Sequence, residues 1–448
     1  MRGRVCQVVG LTVGAHGPAS AIGELCYLVP HRARPGIPAE VVGFRDNLTL
    51  LMPFGELQGV GPGCEVVVSG HGFRVGVGQG LLGRVLDGLG RPIDGQGPVV
   101  AQARRATRAA APDPLQRPVI DEALPVGVRA LDGFLTCGKG QRMGIFSGSG
   151  VGKSTLLGMV ARNTAADVSV IALVGERGRE VREFLDRDLG PAGLARSVVV
   201  VATSDQPALV RIQAAYTATT IAEFFRDRGA DVVLLMDSIT RFAMALREVG
   251  LAIGEPPATR GYTPSVFATL PKLLERAGRA AAGSVTGFYT VLIDGDDLTE
   301  PVTDAMRGLL DGHVLLSREL AARGQYPAVD ILGSVSRLMP AITDRQQQAS
   351  AARLRAMLAV YRDAQDLISV GAYRPGSNPE IDAARGAVPQ ILAFLRQDVE
   401  EAADFAATRE RLLALSMSQA EPHTQRGAAS AVAPGQLAAV ASTTGGRL

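Results

Sequence analysis

The stretch Phe146–Thr155, FSGSGVGKST, decides the fold of this chain. Its glycines free the backbone to curl, so that successive N–H groups point inward at phosphate oxygens. Lys153 adds a positive charge at the same place, and Ser154 adds a hydroxyl that suits Mg²⁺. One position departs from the usual pattern, because Ser147 stands where the first glycine of such a loop is expected. The GKS core at Gly152–Ser154 is intact and predicts a loop that binds nucleotide phosphates.

The residues around this loop predict a strand before it and a helix after it. RMGIF ends just before the loop and STLLGMVAR begins just after it, an order in which a bound anion also meets a helix N-terminus. Further apolar strands alternate with helical stretches along the middle of the chain, namely SVIALVG, SVVVVAT, DVVLLMD and TGFYTVLI. This alternation favours a nucleotide-binding α/β core over a plain glycine-rich turn, with a mostly parallel sheet covered on both faces.

The order of elements predicts three domains and a tail. Residues 1–73 alternate short β-like runs with turns rich in Gly and Pro, which is typical of a small closed β-barrel. The α/β core with the phosphate loop covers 74–340, and helical patterns predict a C-terminal helical domain over 341–417. Inside the core segment, 81–118 is rich in glycine, proline and basic residues and is interpreted as an extended connector. Residues 418–448 hold few large apolar side chains and are predicted to be a disordered tail.

Composition limits the function classes. The 448 residues carry a formal net charge of +2, so the whole chain shows no nucleic-acid footprint. No apolar run approaches the length of a membrane span, and the N-terminus lacks the apolar core of a secretory signal. We therefore expect a soluble, cytoplasmic protein. The cysteines are widely scattered, which favours buried thiols over a metal site: Cys6, Cys26, Cys64 and Cys137.

Two acidic residues follow apolar strands at positions that suit nucleotide hydrolysis. DVVLLMDS places Asp237 at the carboxyl edge of the sheet, where ligands of open α/β sheets collect, and Asp237 is the candidate acid that organises Mg²⁺. A helix N-cap is the alternative role for Asp237, because a helical stretch follows, and the two roles are compatible. Glu176 directly follows SVIALVG at the same edge and is the candidate base, with Arg177 beside it. A solvated surface carboxylate is the alternative for Glu176.

Longer stretches resemble a known family. LVGERGREVREF, LLMDSITRFAMALREVGLAIGEPPATRGYTPSVFATLPKLLERAG and YPAVDILGSVSR are similar to the flagellar and type III protein-export ATPases, relatives of the catalytic subunit of rotary ATP synthases. The resemblance extends from Arg4 to about Leu415, and GYTPSVF and GRVCQVVGLTVGAHGP favour the flagellar branch. It implies a P-loop NTPase core with a RecA-like parallel sheet, between an N-terminal β-barrel and a C-terminal helical domain.

The resemblance also implies roles for individual residues. It makes Glu176 the catalytic carboxylate and Arg177 a γ-phosphate contact. Arg337, in SVSRLMP, matches an arginine that reaches into a neighbouring subunit's site, although from the sequence alone a surface or interdomain arginine is the alternative. Tyr326, in GQYPAVD, matches the aromatic residue that stacks on adenine. The implied cofactors are ATP and Mg²⁺, the latter held by Ser154 and Asp237. The implied nucleotide contacts, besides Tyr326, are Gly150, Val151, Gly152, Lys153, Ser154, Thr155, Val399 and Phe405.

Several of these residues have an ordinary structural interpretation as well. Val399 and Phe405 suit the core side of an amphipathic helix. Asp296 and Asp297, in the family motif DGDDLTEP, are expected to be structural or interfacial, and His313 is interpreted as a core or strand-edge histidine. A further pair of acids occupies the place where rotary relatives carry an acidic loop that touches the stalk, with a solvated helix face as the alternative: Asp363 and Asp366.

The function that the resemblance implies is an ATPase that energises protein export from the inner face of the cell membrane. A site that needs an arginine from a neighbour is complete only at a subunit interface, so a closed ring follows, and the resemblance implies that this ring is a homohexamer. The implied partners are export-gate, stalk and peripheral regulator proteins, export substrates and their chaperones, and no nucleic acid. One alternative is the catalytic subunit of a rotary ATP synthase. The other is a ring-shaped RNA translocase, which the few aromatic residues of the predicted barrel disfavour: Tyr27, Phe44, Phe54 and Phe73.

Overall fold

The structure is a computed structural model that describes residues 2–30, 36–293, 297 and 299–419. Almost all of the tail predicted for 418–448 lies outside the described residues, and so does Asp296. In the described ranges, no helix is long and apolar enough to cross a membrane.

The N-terminal strands of the described chain close into a barrel, in the order β1-β2-β5-β4-β3-β6. Side chains that alternate along these strands point inward and form a separate apolar core, with Val5, Val13, Leu28 and Leu51 almost fully buried. The six strands are β1 Arg2–Val9, β2 Thr12–His16, β3 Glu24–Val29, β4 Ile37–Arg45, β5 Leu48–Pro53 and β6 Glu65–Gly72.

The central sheet places its strands in the order β17-β16-β10-β15-β13-β11-β12-β8, with the short β14 paired to β15. The neighbours of β10, β11, β13 and β15 along this order are all parallel, and the edge strand β17 is antiparallel to β16. The strands not yet given are β7 Arg74–Val77, β8 Val85–Asp87, β9 Ala103–Ala106, β10 Arg142–Ser147, β11 Val168–Val174, β12 Ser197–Ala202, β13 Asp231–Asp237, β14 Gly278–Arg279, β15 Ser284–Leu292, β16 Gly312–Leu316 and β17 Val329–Ser336.

Helices cover both faces of this sheet, as the apolar strands predict. Along β11, Val170 and Ala172 join the apolar cluster on one face, while Ile171 and Leu173 join the cluster on the other. The helices are α1 Arg129–Phe134, α2 Lys153–Asn163, α3 Gly178–Glu183, α4 Gly190–Ala195, α5 Ala208–Arg226, α6 Ile239–Ala252, α7 Pro264–Leu274, α8 Pro301–Leu309, α9 Arg318–Ala322, α10 Met339–Ile342, α11 Arg345–Ser369, α12 Pro379–Leu395 and α13 Phe405–Ser418. Barrel, parallel sheet and C-terminal helices confirm the predicted fold class.

The interpretation of 81–118 as an extended connector was wrong in part. Val85–Asp87 forms β8, which pairs with β12 through Val85 and Val199 and extends the central sheet at its edge. Ala103–Ala106 forms β9 and pairs with β7. The bidentate ion pair of Arg84 with Asp94, whose nitrogen–oxygen distances are 2.7 and 2.8 Å, fixes the turn that follows β8.

The predicted C-terminal helical domain is not helical throughout. Residues 396–404, between α12 and α13, are not helical. The Gln397 side chain donates to the Gly127 carbonyl at 2.9 Å and accepts from the Arg129 N–H at 2.8 Å, so this segment is bound to the central domain. Asp363 and Asp366 lie on α11 and are exposed, which agrees with a helix face rather than a loop.

Candidate active site

The phosphate loop connects the end of β10 to the start of α2. Gly150 and Gly152 have φ angles of 78° and 94°, in the left-handed region that side chains with a Cβ adopt at a cost. Among the described residues, the N–H groups of Gly150, Val151 and Gly152 have no acceptor. Val151 turns its side chain into the core and is 2% exposed, so it offers the site only its backbone. The loop therefore presents a set of free N–H donors at a helix N-terminus, which suits a phosphate.

Three charged side chains meet beside this loop, as the sequence predicts for Lys153, Glu176 and Asp237. The Lys153 Nζ lies 2.5 Å from Asp237 Oδ1 and 3.6 Å from Glu176 Oε1. All three side chains are largely buried, with 12%, 14% and 3% exposure for Lys153, Glu176 and Asp237. Asp237 Oδ1 also accepts from the Thr290 hydroxyl at 2.7 Å, so both contacts use the same carboxylate oxygen. In the described part of the chain, Oδ2 accepts no hydrogen bond, which leaves an oxygen for a cation or its water.

Burial and neighbouring charge shift the pKa values in this cluster. Burial, together with the negative charge of Asp237, raises the pKa of Glu176 to about 7, while Lys153 lowers it. Burial lowers the pKa of Lys153, but the two carboxylates outweigh it, and the pKa of Lys153 is raised above its usual value. A carboxyl group with a pKa near neutrality, next to a phosphate loop, is suited to accept a proton from water.

The structure separates the two roles considered for Asp237. Asp237 is the last residue of β13, and Ser238 is the N-cap of α6, because its side chain accepts from the Arg241 N–H at 3.2 Å. The N-cap role of Asp237 was therefore wrong. Because the neighbouring serine satisfies the helix, the Asp237 carboxylate is available to face Lys153.

Glu176 reaches this cluster because the chain turns at Gly175, directly after β11. Gly175 has a φ angle of 74°, and a Cβ placed there would lie 2.8 Å from the Arg241 side chain. Arg241 was missed in the sequence, although it follows Asp237 by four residues at the same sheet edge. Its Nε is buried and finds no acceptor among the described residues. Arg241 is thus a second candidate cation for the terminal phosphate.

Arg177 is not brought to the phosphate loop. Its side chain is 80% exposed and lies 3.5 Å from Glu180, one helical turn further along the chain. The neighbouring Glu180 carboxyl shares a hydrogen bond with Glu176 and has a lowered pKa as a result. The proposed contact of Arg177 with a γ-phosphate stays a prediction.

A second wall of the phosphate loop was not foreseen. The turn of π-helix Phe184–Leu189 packs on α2, and the Thr155 hydroxyl hydrogen-bonds the half-buried Asp188 carboxylate. A cavity of about 310 Å³ lies between the loop and this turn, and Arg187 lines it. The charged run after Glu176 gave no periodic signal for this packing, because a π-helical turn shifts the helix register.

The residues predicted to contact adenine lie in a turn that precedes β17, in the non-helical segment 396–404 and at the start of α13. The Tyr326 ring is 46% exposed and lies 3.8 Å from a Cβ placed on Gly152. The backbone carbonyl of Tyr326 accepts a hydrogen bond from the Gln397 N–H at 3.0 Å. The Val399 carbonyl accepts from Arg162 at 2.5 Å, so this segment is held to the end of α2. Val399 is 38% exposed and Phe405, the first residue of α13, is half-buried, so neither is a fully enclosed core residue.

Arg337 lies far from its own phosphate loop. Arg337 directly follows β17, and Ser336 at the end of β17 pairs with Gly312 at the start of β16. β16 runs parallel to β10, and its His313 pairs with Gly144 of β10. Arg337 is therefore at the amino ends of the strands, about 13 Å along β10 from the loop. It is exposed, and one of its guanidinium nitrogens donates to the Arg307 carbonyl at 3.2 Å. This position does not serve the chain's own Lys153.

Two other predicted residues have structural contacts. Asp297 forms an ion pair with Arg260 at 2.9 Å. The hydrogen bond from the Thr299 hydroxyl, followed by the contact with Arg260, lowers the pKa of Asp297 to about 2. His313 lies on β16 with its Nε2 3.0 Å from the Gly333 carbonyl, and burial lowers its pKa. Both agree with the structural roles expected for them.

Sequence families match the three parts of the chain. Residues 127–336 match the ATP synthase alpha/beta family, nucleotide-binding domain, and residues 5–70 match the beta-barrel domain of the same family. Residues 343–414 match the T3SS EscN ATPase C-terminal domain.

Two relatives align over nearly the whole chain. A "Flagellum-specific ATP synthase" of Bacillus subtilis is 55% identical over 403 residues, which cover 90% of this chain and 92% of the relative. A "Type 3 secretion system ATPase" of Xanthomonas euvesicatoria is 51% identical over 417 residues, covering 92% and 94%.

Solved structures are similar over the same extent. The assembled ATPase EscN from the type III secretion system of enteropathogenic E. coli superposes with a TM-score of 0.87 and 44% identity, covering 92% of this chain and 100% of EscN. EscN in complex with its central stalk EscO gives a TM-score of 0.85 at the same identity and coverage.

Proposed function

The chain belongs to the ATP synthase alpha/beta family, among the flagellum-specific ATP synthases and type 3 secretion system ATPases, and from this membership we propose how its site hydrolyses ATP and what the hydrolysis energises. The chain is an ATPase. The observation that carries the proposal is the buried cluster in which Lys153 lies between Asp237 and Glu176, directly beside a loop with free N–H groups.

The phosphate loop and Lys153 bind the nucleotide. The N–H groups of Gly150, Val151 and Gly152 donate to phosphate oxygens, and the Lys153 ammonium adds the charge that stabilises them. Thr155, held by Asp188, closes the outer side of the loop. Because these donors are fixed by the fold before the nucleotide arrives, little order is lost when it binds.

The same cluster fits a magnesium ion. The Ser154 hydroxyl and the Asp237 carboxylate are the hard oxygen donors that Mg²⁺ prefers, and Asp237 has an oxygen to spare beside Lys153. When bound with ATP, Mg²⁺ neutralises charge on the phosphates. Thr290 keeps the Asp237 carboxylate in place, since it donates to Oδ1 from the neighbouring strand.

Glu176 is the base that orients or deprotonates the attacking water. Its carboxylate lies at the carboxyl edge of the sheet, close to Lys153 and therefore close to the terminal phosphate. Arg241 packs behind it, and its unpaired buried guanidinium nitrogen is available to the charge that develops on that phosphate. Arg177 joins the site only if its exposed side chain turns inward from Glu180.

Replacing Glu176 by glutamine keeps the size and polarity of the side chain but removes the base. We expect ATP binding to persist while hydrolysis falls by about a hundredfold or more. Phosphate release and fluorescent-nucleotide binding measure the two properties separately. Glu410→Gln, the same change at an exposed position of α13, serves as the control. Normal hydrolysis by Glu176→Gln would show that Glu176 is only a structural charge.

The nucleotide base lies against Tyr326. The Tyr326 ring lies beside Gly152. A base stacked on this ring therefore places the phosphates of the same nucleotide at the phosphate loop. The segment 396–404 forms the other wall and contributes Val399, while Phe405 follows at the start of α13. Because Arg162 holds the Val399 carbonyl, this wall is connected to the helix that carries Lys153.

Hydrolysis takes place in a ring of six identical subunits, and Arg337 of one subunit completes the site of the next. The support is the position of Arg337 at the amino ends of the strands, away from its own loop. An arginine supplied by a neighbour stabilises charge in the transition state and couples each site to the state of the adjacent subunit.

The energy serves protein export through a flagellar or type III secretion apparatus, at the cytoplasmic face of the cell membrane. The flagellar branch is preferred, on the sequence stretches GYTPSVF and GRVCQVVGLTVGAHGP. A stalk protein lies in the pore of the ring, as the structure of EscN with its central stalk EscO supports. Export-gate proteins, a peripheral regulator, substrates and chaperones are the further partners.

Capture of the tagged chain from the cells that make it tests this role. Because Glu176→Gln retains ATP and slows turnover, it is the suitable bait for partners that bind the ATP form. Export-gate, stalk and chaperone proteins are expected to co-purify, and a strain with only Glu176→Gln is expected to export no flagellar or secreted substrate. Co-purification of rotary ATP synthase subunits, with export unaffected, would instead identify a subunit of a rotary enzyme.

A further inference from the structure

A cavity of about 240 Å³, lined by apolar and charged side chains, separates the edge of the central sheet from the C-terminal helices. One side comes from α9, the turn at Gln325 and β17, and the other from α11 and α12. Gln325, Val329 and Ile331 are at most 4% exposed, so this wall belongs to the packed part of the protein. The main apolar lining residues are Leu320, Val329, Ile331, Leu358, Leu392 and Leu395.

The charges around the cavity are unbalanced. Of the charged lining residues, Arg323 is paired with Glu319 at 2.6 Å, and Asp330 accepts from the N–H groups of Leu332 and Gly333. Two exposed arginines, Arg362 of α11 and Arg396 after α12, have no acidic partner among the described residues. A cavity with several apolar walls and two exposed arginines that lack an acidic partner among the described residues suits an amphipathic anion.

We propose that this cavity binds a small amphipathic carboxylate, with its apolar body between the sheet edge and α12 and its carboxylate at Arg362 and Arg396. A cavity of about 150 Å³ accommodates benzene. The volume found here, 240 Å³, therefore suits a ligand of about ten non-hydrogen atoms. Octanoate has this size and shape and is the probe used below.

The site is connected to the adenine wall. The Gln325 side chain donates to the Leu392 carbonyl at 3.2 Å, and the next residue, Tyr326, accepts from the Gln397 N–H at 3.0 Å. A ligand in contact with Leu392 and Gln325 holds α12 against this turn. On the proposed function, octanoate and ATP therefore affect each other's affinity equally, as linkage requires.

Equilibrium dialysis of labelled octanoate against the full chain, without nucleotide, tests the site independently of the proposed function. We expect one saturable site with a Kd of about 1 mM. Octan-1-ol, which has the same chain without the carboxylate, is expected to bind about fivefold more weakly, because it makes no charge-assisted contacts. Failure of octanoate to saturate below about 10 mM would overturn the proposal.

Two variants locate the bound probe. The double substitution Arg362→Ala with Arg396→Ala is expected to weaken octanoate at least fivefold and to leave octan-1-ol unchanged, since only the charged contacts are lost. Val388→Trp, which fills the cavity from α12, is expected to abolish binding of both. The arginine variant changes only exposed side chains, so its result stands even if Val388→Trp does not fold. Octanoate affinity unchanged in the arginine variant would overturn the proposal.

Discussion

Replacing Lys153 by alanine is expected to abolish ATP binding and to reduce hydrolysis below detection, a loss of about a thousandfold or more. Lys153 contacts both Asp237 and Glu176, and the N–H groups of the loop are neutral donors. Without its ammonium, the Asp237 and Glu176 carboxylates lose the cation that contacts both of them when a polyphosphate approaches. Phosphate release and nucleotide binding, measured on a variant whose circular dichroism matches the parent protein, give the result.

Lys153→Ala is also expected to be less stable than the parent protein. In Lys153→Ala the Asp237 carboxylate, with 3% exposure, keeps the Thr290 hydroxyl as its only partner within the described ranges, so the variant is expected to unfold at a lower temperature. Lys139→Ala is the control, because Lys139 also bridges two acids, Glu122 and Asp231, at 2.8 and 2.9 Å but lies outside the site. Turnover at the parent rate by folded Lys153→Ala would show that the nucleotide site lies elsewhere.

Replacing Arg337 by alanine is the second large change, and its expected signature is a loss of hydrolysis without a loss of ATP binding. An arginine finger contributes about a thousandfold in rate, which corresponds to about 4 kcal/mol of transition-state stabilisation. Since Arg337 lies at the opposite ends of the strands from Lys153, it cannot act on the nucleotide of its own chain. The specific activity of the parent protein is therefore expected to rise with protein concentration as rings form.

Arg337→Lys refines this expectation. It keeps the positive charge but loses the planar pair of donors, so it is expected to remain strongly impaired. Sedimentation velocity must show that both variants still assemble, because a variant that fails to form rings would lose activity for a different reason. Activity that is independent of concentration in the parent protein would contradict an arginine supplied by a neighbour.

The part of the site that could be predicted from sequence is the part set by one rule of parallel sheets. Glu176, Asp237 and the phosphate loop each follow an apolar strand directly, and the carboxyl ends of parallel strands meet at one edge. Their proximity follows from that topology, so the sequence alone predicts that they lie at one edge of the sheet. Arg241 obeys the same rule, but its role depends on packing against Gly175, which the sequence does not show.

The features that were missed depend on partners distant in sequence. β8 is three residues long and exists because Val85 pairs with Val199, more than a hundred residues away along the chain. The break between α12 and α13 carries a helical pattern, but Gln397 and Arg129 bind across 268 residues and hold the backbone in another conformation. The local sequence pattern predicts a helix here. Helix propensity is weak compared with several such contacts, so the contacts determine the conformation.

The central claim is that each ATP site is shared between two subunits, and mixing two inactive variants tests it most directly. Arg337→Ala retains Glu176, and Glu176→Gln retains Arg337. In mixed rings, an Arg337→Ala subunit whose neighbour supplies an intact Arg337 regains a complete site. Partial ATPase activity is expected to return on mixing, and neither variant alone is expected to show it at any concentration. No recovery in rings shown to contain both variants would contradict the shared site and the role of Arg337.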